Sequence, residues 1–236
     1  MIEVKCLASG SSGNSYAIDD GESVLLLEAG IPHKRILSGY IDLLPRVAGC
    51  CITHEHCDHS RGAAGLAASG IDLYATEGTY HDIDDIRHPY RKNIIRAGTQ
   101  RDIGSWVVMP FETKHDAAEP VGFLLYSKAA GEKLLFATDT YYIQNRFSGL
   151  SVIMVECNYS LPLLRKNAEA GRVTDSMKHR LLESHFSLEH VRDFFKATEL
   201  SQVRQIYLLH VSAGNGDKKQ FVSEIKQATG RPVTAF

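Results

Sequence analysis

The sequence predicts a mixed α/β (α+β) fold, a four-layer αββα sandwich with two sheets inside and helices outside. Short apolar or alternating runs separated by turn residues favour strands, and helical periodicity appears in both halves. The order of strands followed by helices occurs twice, which predicts two similar halves. The chain has 236 residues, 44% of them hydrophobic, and no long linker or low-complexity tract, so we expect a single domain over residues 1–236.

Each predicted element follows from a local pattern. In the first half, turn residues at 9–14 and 19–21 separate apolar strands, and an Ala-rich run predicts a helix. The predicted strands there are 2–7, 15–18, 24–27 and 49–53, and the helix is 62–69. In the second half the predicted strands are 106–109, 122–127, 134–137, 151–157, 205–209 and 232–235. The predicted helices are 176–183, 188–198 (with Ser187 as N-cap) and 218–228.

Composition excludes several classes of protein. The 26 Lys and Arg nearly balance the 28 Asp and Glu, which excludes a generally basic coat for nucleic acid but not a locally basic groove. The five cysteines include no CxxC pair, so neither a disulfide framework nor a thiolate zinc site is expected. Reduced thiols and a first segment unlike a signal peptide predict a cytoplasmic protein, and no apolar run approaches a membrane span.

A cluster of histidines follows the strand predicted at 49–53. Residues 53–59 read Thr-His-Glu-His-Cys-Asp-His, and in an extended loop His54 and His56 point the same way. Asp58 and His59, after a turn, can face a second ion close by. Imidazole and carboxylate ligands suit zinc, manganese or iron. The segment does not fit the HExxH pattern of zinc proteases, because Asp58 stands where the second His belongs. Alternation predicts that Cys57 points away from the ions as a packed thiol.

The HxHxDH pattern of His54–His59 resembles the signature of the metallo-β-lactamase fold superfamily. The resemblance implies that fold, with the metal site at one edge of the sheets and two divalent ions, Zn or Mn and possibly Fe. It assigns His54, His56 and His115 to the first metal, Asp58, His59 and His210 to the second, and Asp139 as the bridge. Glu28 departs from the superfamily, which usually has Asp there to support the metal loop from behind.

Three segments are similar to the WalJ/YycJ group, which is related to tRNase Z: residues 7–15, 115–122 and 137–140. This similarity implies a 5′→3′ exonuclease that cleaves DNA. A leaving alkoxide needs a proton, and His185, which resembles a Gly-His-Leu-Ser element of that group, is the predicted donor. Asp58 and His185 are therefore the predicted catalytic residues. His185 and His210 could also exchange roles as the last metal ligand.

Basic stretches predict where a nucleic acid would bind. Residues 86–101 contain five cations and no acid, and residues 164–181 contain five more cations against two acids. Three tyrosines, Tyr90, Tyr141 and Tyr142, could stack bases, and the loop of residues 9–15 could offer backbone amides to a phosphate. The predicted substrate-binding residues are Ser11, Asn14, Arg87, Arg91, Lys92, Arg96, Arg165 and Lys166.

Two other functions remain open from sequence. One is hydrolysis of a small ester, thioester, lactam or cyclic nucleotide, which would show turnover without DNA binding. The other is a metal-stabilised binding protein without catalysis. A complete set of ligands argues against this second alternative, and two bound metals without turnover of any phosphodiester would favour it.

Overall fold

A computed structural model of the chain describes residues 1–83 and 86–236. The strands belong to two sheets accompanied by helices, which confirms the predicted mixed α/β class. The chain forms two compact units. Unit 1 comprises residues 1–112 and 117–133, and unit 2 comprises residues 113–116 and 134–236. In the described part of the chain, no helix has the length and apolar character needed to cross a membrane.

Unit 1 contains a six-stranded sheet whose strands follow chain order. The first three strands pair in antiparallel fashion and the last four in parallel. Its central strand is buried at every position, because its four aliphatic residues meet core on both faces. The strands are β1 (Glu3–Ala8), β2 (Ser15–Asp19), β3 (Val24–Leu27), β4 (Val47–Cys51), β5 (Leu73–Ala75) and β6 (Lys92–Ile94).

The rest of unit 1 is an antiparallel meander and four short helices. The meander consists of β7 (Arg101–Ile103), β8 (Trp106–Glu112) and β9 (Val121–Ser127). The helices are α1 (His33–Gly39), α2 (Cys57–Ser60), α3 (Ala63–Ala68) and α4 (Glu77–Asp82). Apolar residues from the sheet and from α1 and α3 form one core cluster, which fixes the ends of β3 and β4.

A buried carboxylate joins two parts of unit 1. Asp20 is 6% exposed, and its oxygens accept hydrogen bonds from the hydroxyls of Ser105 (2.6 Å) and Ser127 (2.7 Å). The backbone amides of Glu22 and Ser23 donate to the same carboxylate. Burial opposes ionisation, but these donors outweigh it and hold the pKa of Asp20 below its ordinary value.

Unit 2 contains parallel strands and four helices. Strands β10 (Glu132–Ala137), which belongs to unit 2 from Leu134 onward, β11 (Val152–Glu156), β12 (Gln205–Leu209) and β13 (Val233–Ala235) pair in that order. The helices are α5 (Leu161–Glu169), α6 (Asp175–Ser184), α7 (Leu188–Lys196) and α8 (Lys218–Thr229). The predicted N-cap of α7 is confirmed, since the Ser187 side chain accepts from the backbone amide of His190. All five positions of β11 are buried, so its end is held firmly.

The structure adds elements that the sequence did not predict and changes one that it did. Strands β5, β6 and β7 have three residues each, too few for a visible alternation. Helices α1, α4 and α5 were also missed, and α1 begins after Pro32 without a side-chain cap. Residues 57–60 form one helical turn where the sequence predicted a non-helical loop. Asp58 and His59 lie in that turn.

Candidate metal centre

The histidine loop of unit 1, residues 54–59, follows the buried end of β4. The ring of His54 lies 4.7 Å from that of His56 and 4.1 Å from that of His59, measured between centroids. His54 and His59 are buried, while His56 and Asp58 are half-buried. The Asp58 carboxylate lies 3.5 Å from Nε2 of His59. The three imidazoles and the carboxylate predicted as ligands on this loop therefore lie together.

Backbone hydrogen bonds hold this loop against two neighbouring segments. The amide of Asn14 donates to the carbonyl of Asp58 at 2.8 Å, and the amide of Ala29 donates to that of His59 at 2.8 Å. The backbone of Gly30 passes so close to Asp58 that a Cβ at residue 30 would lie 1.6 Å from its carbonyl oxygen. Only glycine fits there, so the Glu28-Ala29-Gly30 turn can pack directly against the backbone of the loop.

Asn14 and Glu28 contact the loop through their side chains. Nδ2 of Asn14 lies 3.2 Å from Nε2 of His59 and 3.2 Å from the carbonyl oxygen of Asp58. An Asn14 carboxamide that is buried and engaged in this way supports the loop, and its predicted role in substrate binding stays a prediction. Ser11, in the same turn, is exposed.

Glu28 occupies the place where the superfamily usually has Asp, and it is fully buried. Its Oε2 lies 3.4 Å from Nδ1 of His59 and accepts from the amide of Thr53 at 3.4 Å. Its backbone φ is 67°, a value that residues other than glycine adopt only when the surrounding structure imposes it. Burial raises the pKa of Glu28, and the contacts with His59 and Thr53 oppose the rise.

The other two residues of the loop turn away from the imidazoles. Glu55 accepts from the amide of Ala118 at 2.8 Å, which ties the loop to the segment before β9. Cys57 is exposed, with its Sγ 3.4 Å from Nε of Arg61. The prediction that Cys57 is packed is therefore wrong, because residue 57 begins the α2 turn and points outward.

Unit 2 brings together the histidines and the aspartate that the sequence placed at strand ends. Nε2 of His115 lies 3.8 Å from one oxygen of Asp139, and Nε2 of His210 lies 3.9 Å from the other. Asp139 and His210, each 3% exposed, have φ angles of 45° and 51°. With Glu28, they are the non-glycine residues of positive φ found in the described ranges. Backbone strain is thus concentrated at candidate ligands and their support.

Glu156, at the end of β11, is a candidate site residue that sequence reasoning missed. Its carboxylate is fully buried and accepts from Nδ1 of His185 at 2.7 Å and from the amides of Thr140 and Phe186 at 3.1 Å. Asn158 donates to it at 3.2 Å and also contacts Nδ1 of His210 at 3.0 Å. A glutamate ending a wholly apolar strand was the available signal.

Glu156 sets the charge of its neighbourhood. Burial opposes ionisation of Glu156, but the imidazole of His185 outweighs it, so the pKa of Glu156 lies below its ordinary value. Burial would likewise lower the pKa of His185, and the Glu156 carboxylate outweighs that effect and raises it. The pKa of His115 is lowered by its burial. His115 is oriented by Nδ1, which donates to the carbonyl of Ser184 at 3.0 Å.

The donor chemistry of unit 2 fits a transition-metal ion. Asp139, Glu156, His185 and His210 each offer one ligand atom, and these atoms all lie within 4.8 Å of one another. Two imidazoles and two carboxylates are ligands that zinc, manganese or iron accept. The structure places both His185 and His210 in this set, so it leaves open the exchange of roles between them.

The predicted basic residues are distributed between the units, and two are already engaged. In unit 1, Arg91 forms an ion pair with Asp72 at 2.8 Å, and Nζ of Lys92 lies 4.8 Å from the centroid of the Tyr80 ring. Arg87 and Arg96 are exposed, as are Arg165 and Lys166 on α5 of unit 2. Their role in binding phosphates stays a prediction.

Comparisons with known proteins agree with the pattern of motifs. The family model described as "Beta-lactamase superfamily domain" matches residues 29–211. The chain is 31% identical over 241 positions to exodeoxyribonuclease WalJ of Streptococcus pneumoniae strain D39, covering 94% of this chain and 87% of that protein. It is 30% identical to exodeoxyribonuclease YycJ of Bacillus anthracis, covering 97% and 90%.

A solved structure supports the same fold. The metallo-β-lactamase fold protein YhfI from Bacillus subtilis superposes with a TM-score of 0.75 at 13% identity, covering 100% of this chain and 97% of that one. This likeness confirms the predicted metallo-β-lactamase fold. The family model spans well over half of the sequence, from the Glu28-Ala29-Gly30 turn to the residue after His210. The chain therefore belongs to the beta-lactamase superfamily.

Proposed function

We propose that this metal-dependent hydrolase is an exonuclease that degrades DNA in the 5′→3′ direction. The observation that carries the proposal is its 31% identity, along nearly the whole chain, to a protein named exodeoxyribonuclease. The second such relative, at 30% identity, has the same activity in its name. A cytoplasmic location accompanies the proposal, and the pattern of five cysteines without a CxxC pair supports it.

The proposed cofactor is a pair of divalent ions, zinc or manganese, with iron a third choice. His54, His56 and His115 would hold one ion, and Asp58, His59 and His210 the other, with Asp139 shared. The clustered imidazoles of unit 1 and the donor atoms of unit 2 support this assignment. Two such ions, when bound, lower the pKa of a water nucleophile and stabilise the charge that develops at phosphorus.

His185 is the proposed proton donor to the leaving oxygen. The Glu156 carboxylate bonds Nδ1 of His185, which fixes the ring and favours its protonated form. Nε2 then remains for the substrate oxygen. The imidazole planes of His185 and His210 are nearly parallel, 10° apart, with centroids separated by 5.6 Å. Asp58 is the other proposed catalytic residue, acting as a ligand beside His59.

The charge of the ligand set favours a phosphodiester over a neutral ester or lactam. Neutral imidazoles leave much of the positive charge of two divalent ions uncompensated, and a phosphodiester supplies a negative charge. The exposed cations Arg87, Arg96, Arg165 and Lys166 are the proposed contacts for the phosphates of the strand.

A nuclease assay tests the proposal. The metal-reconstituted protein is incubated with end-labelled single-stranded and double-stranded DNA and with RNA, using zinc and manganese in separate reactions. We expect mononucleotides to be released from the 5′ end of DNA, at a rate that falls with added salt and is lost in Asp139→Ala. Cleavage of RNA alone, release from the 3′ end or turnover of a small ester without cleavage of DNA would each contradict it.

A further inference from the structure

An exposed pair of tyrosines lies two and three residues after Asp139 in unit 2. Tyr141 is 38% exposed and Tyr142 is 47% exposed. They are the one pair of consecutive large apolar or aromatic side chains exposed within residues 1–83 and 86–236. Isolated exposed aromatics are ordinary, but two in succession beside a candidate ligand call for a physical reason.

The backbone beneath the pair is fixed on both sides. Thr140 is fully buried, its amide donates to Glu156 at 3.1 Å, and its hydroxyl donates to the carbonyl of Tyr142 at 2.9 Å. The amide of Tyr141 donates to the carbonyl of Lys114 at 3.2 Å. Ile143, next along the chain, is 6% exposed. The two rings are therefore displayed on a braced segment, which lowers the entropy cost of binding a ligand.

The two segments that hold the pair carry cations in the sequence. Arg146 follows the pair, and Lys114 lies on the segment bonded to Tyr141, where the one acid, Asp116, is paired with Arg180 at 3.2 Å. Exposed aromatic rings beside cations are the combination that binds single-stranded nucleic acid, since every base offers a face for stacking.

We infer that Tyr141 and Tyr142 form a stacking platform for unpaired bases of a nucleic-acid strand whose backbone reaches Asp139. The inference rests on the proposed function and deepens it. In this inference the tyrosine pair binds bases whatever the nucleotide sequence, and other residues bind the phosphates. The platform selects an unpaired strand, because bases inside a duplex have no free face.

Binding to uncleavable strands tests the platform separately from catalysis. Metal-loaded protein is titrated with two labelled phosphorothioate oligonucleotides of equal length, one of thymidines and one abasic throughout. Wild type is compared with Tyr141→Ala/Tyr142→Ala, with Tyr141→Phe/Tyr142→Phe, and with Tyr126→Ala as control. Tyr126 is a matched control because it is 40% exposed on β9, opposite Val107, and follows no predicted ligand.

We expect the double alanine variant to bind the thymidine strand at least about fivefold more weakly, the loss of one stacking contact. Its affinity for the abasic strand should stay unchanged, and the double phenylalanine variant should bind as wild type does. An equal loss for both strands, or no loss for either, would overturn the inference. Melting temperature and metal content identify a variant that has misfolded. Because nothing is cleaved, failure here is distinct from failure of the nuclease assay.

Discussion

The two units build their candidate ligands in opposite ways. In unit 1 the imidazoles and the carboxylate come from six consecutive residues, held mainly by backbone hydrogen bonds from Asn14 and Ala29. In unit 2 the ligands come from distant segments and are joined by the buried carboxylate of Glu156. In a single loop the backbone itself fixes the positions of the ligands, whereas ligands from distant segments need a buried side chain that holds them together. We therefore expect unit 2 to depend more on one supporting residue than unit 1 does.

Among the supporting residues, which hold the candidate ligands in place, the largest effect is expected from Glu156→Gln. The substitution keeps the shape but removes the charge that bonds His185 and forces an amide group among donors. Hydrolysis by the metal-reconstituted enzyme should fall about 10- to 100-fold, as for other residues that orient ligands. Steady-state rates on end-labelled DNA measure it. Glu224→Gln is the control, because Glu224 contacts Arg192 and Gln220 near the surface and no candidate ligand that the structure describes. A similar loss there would refute the anchoring role.

The buried carboxylate of unit 1 that lies away from the loop gives a stability prediction. Asp20→Asn removes the charge that accepts from Ser105 and Ser127, and should lower the free energy of unfolding by about 2 kcal/mol at pH 7. Asp42→Asn, at an exposed position, should change it by less than about 0.5 kcal/mol. Denaturant titration measures both.

The pH dependence of this stability has a defined sign. The pKa of Asp20 is lowered in the folded protein, so its contribution is fully present above the unfolded pKa of about 3.9. It is lost as the pH falls through the folded value. The difference in the free energy of unfolding between wild type and Asp20→Asn should therefore be constant from pH 6 to 7 and decrease below about pH 4. A difference that increases in acid would contradict the assignment.

A smaller effect tests the support of the histidine loop. Glu28→Asp restores the residue usual in the superfamily but shortens the side chain by one methylene, so its reach to His59 and Thr53 is lost. We expect metal affinity, from competition with a chelating dye, to weaken about tenfold. Glu28→Gln keeps the length and separates reach from charge. Unchanged affinity in Glu28→Asp would mean that the local backbone alone positions the loop.

The smallest effect is expected at Cys57. Its thiol is exposed although it lies between two candidate ligands, so Cys57→Ser should alter neither metal content nor hydrolysis by more than about twofold. Ser60→Ala is a useful contrast, because the Ser60 hydroxyl bonds the carbonyls of Glu55 and His56 and so braces the same turn. If Cys57→Ser strongly reduced metal content or hydrolysis and Ser60→Ala did not, the thiol of Cys57, not the hydroxyl of Ser60, would support the turn.

The contrast between the units also explains what the sequence could predict. Strands such as Val24–Leu27 and the capped helix at Ser187 were evident, because apolar runs and caps are local signals. The histidine loop was evident for the same reason. Glu156 was not, since its importance comes from donors in three separate segments that meet only in the folded chain. The exposure of Cys57 was not predicted, because the helix at residues 57–60 is a single turn and too short to give a helical pattern in the sequence.

Metal content per chain, measured with hydrolysis in one matched pair of variants, tests the central claim most directly. His56→Ala removes a ligand from the local set and Asp139→Ala removes one from the dispersed set. We predict about two divalent ions in the reconstituted wild type, fewer than two in each variant, and a loss of DNA hydrolysis greater than about 100-fold in both. Two ions with undiminished hydrolysis in either variant would contradict the proposed role of that residue as a metal ligand.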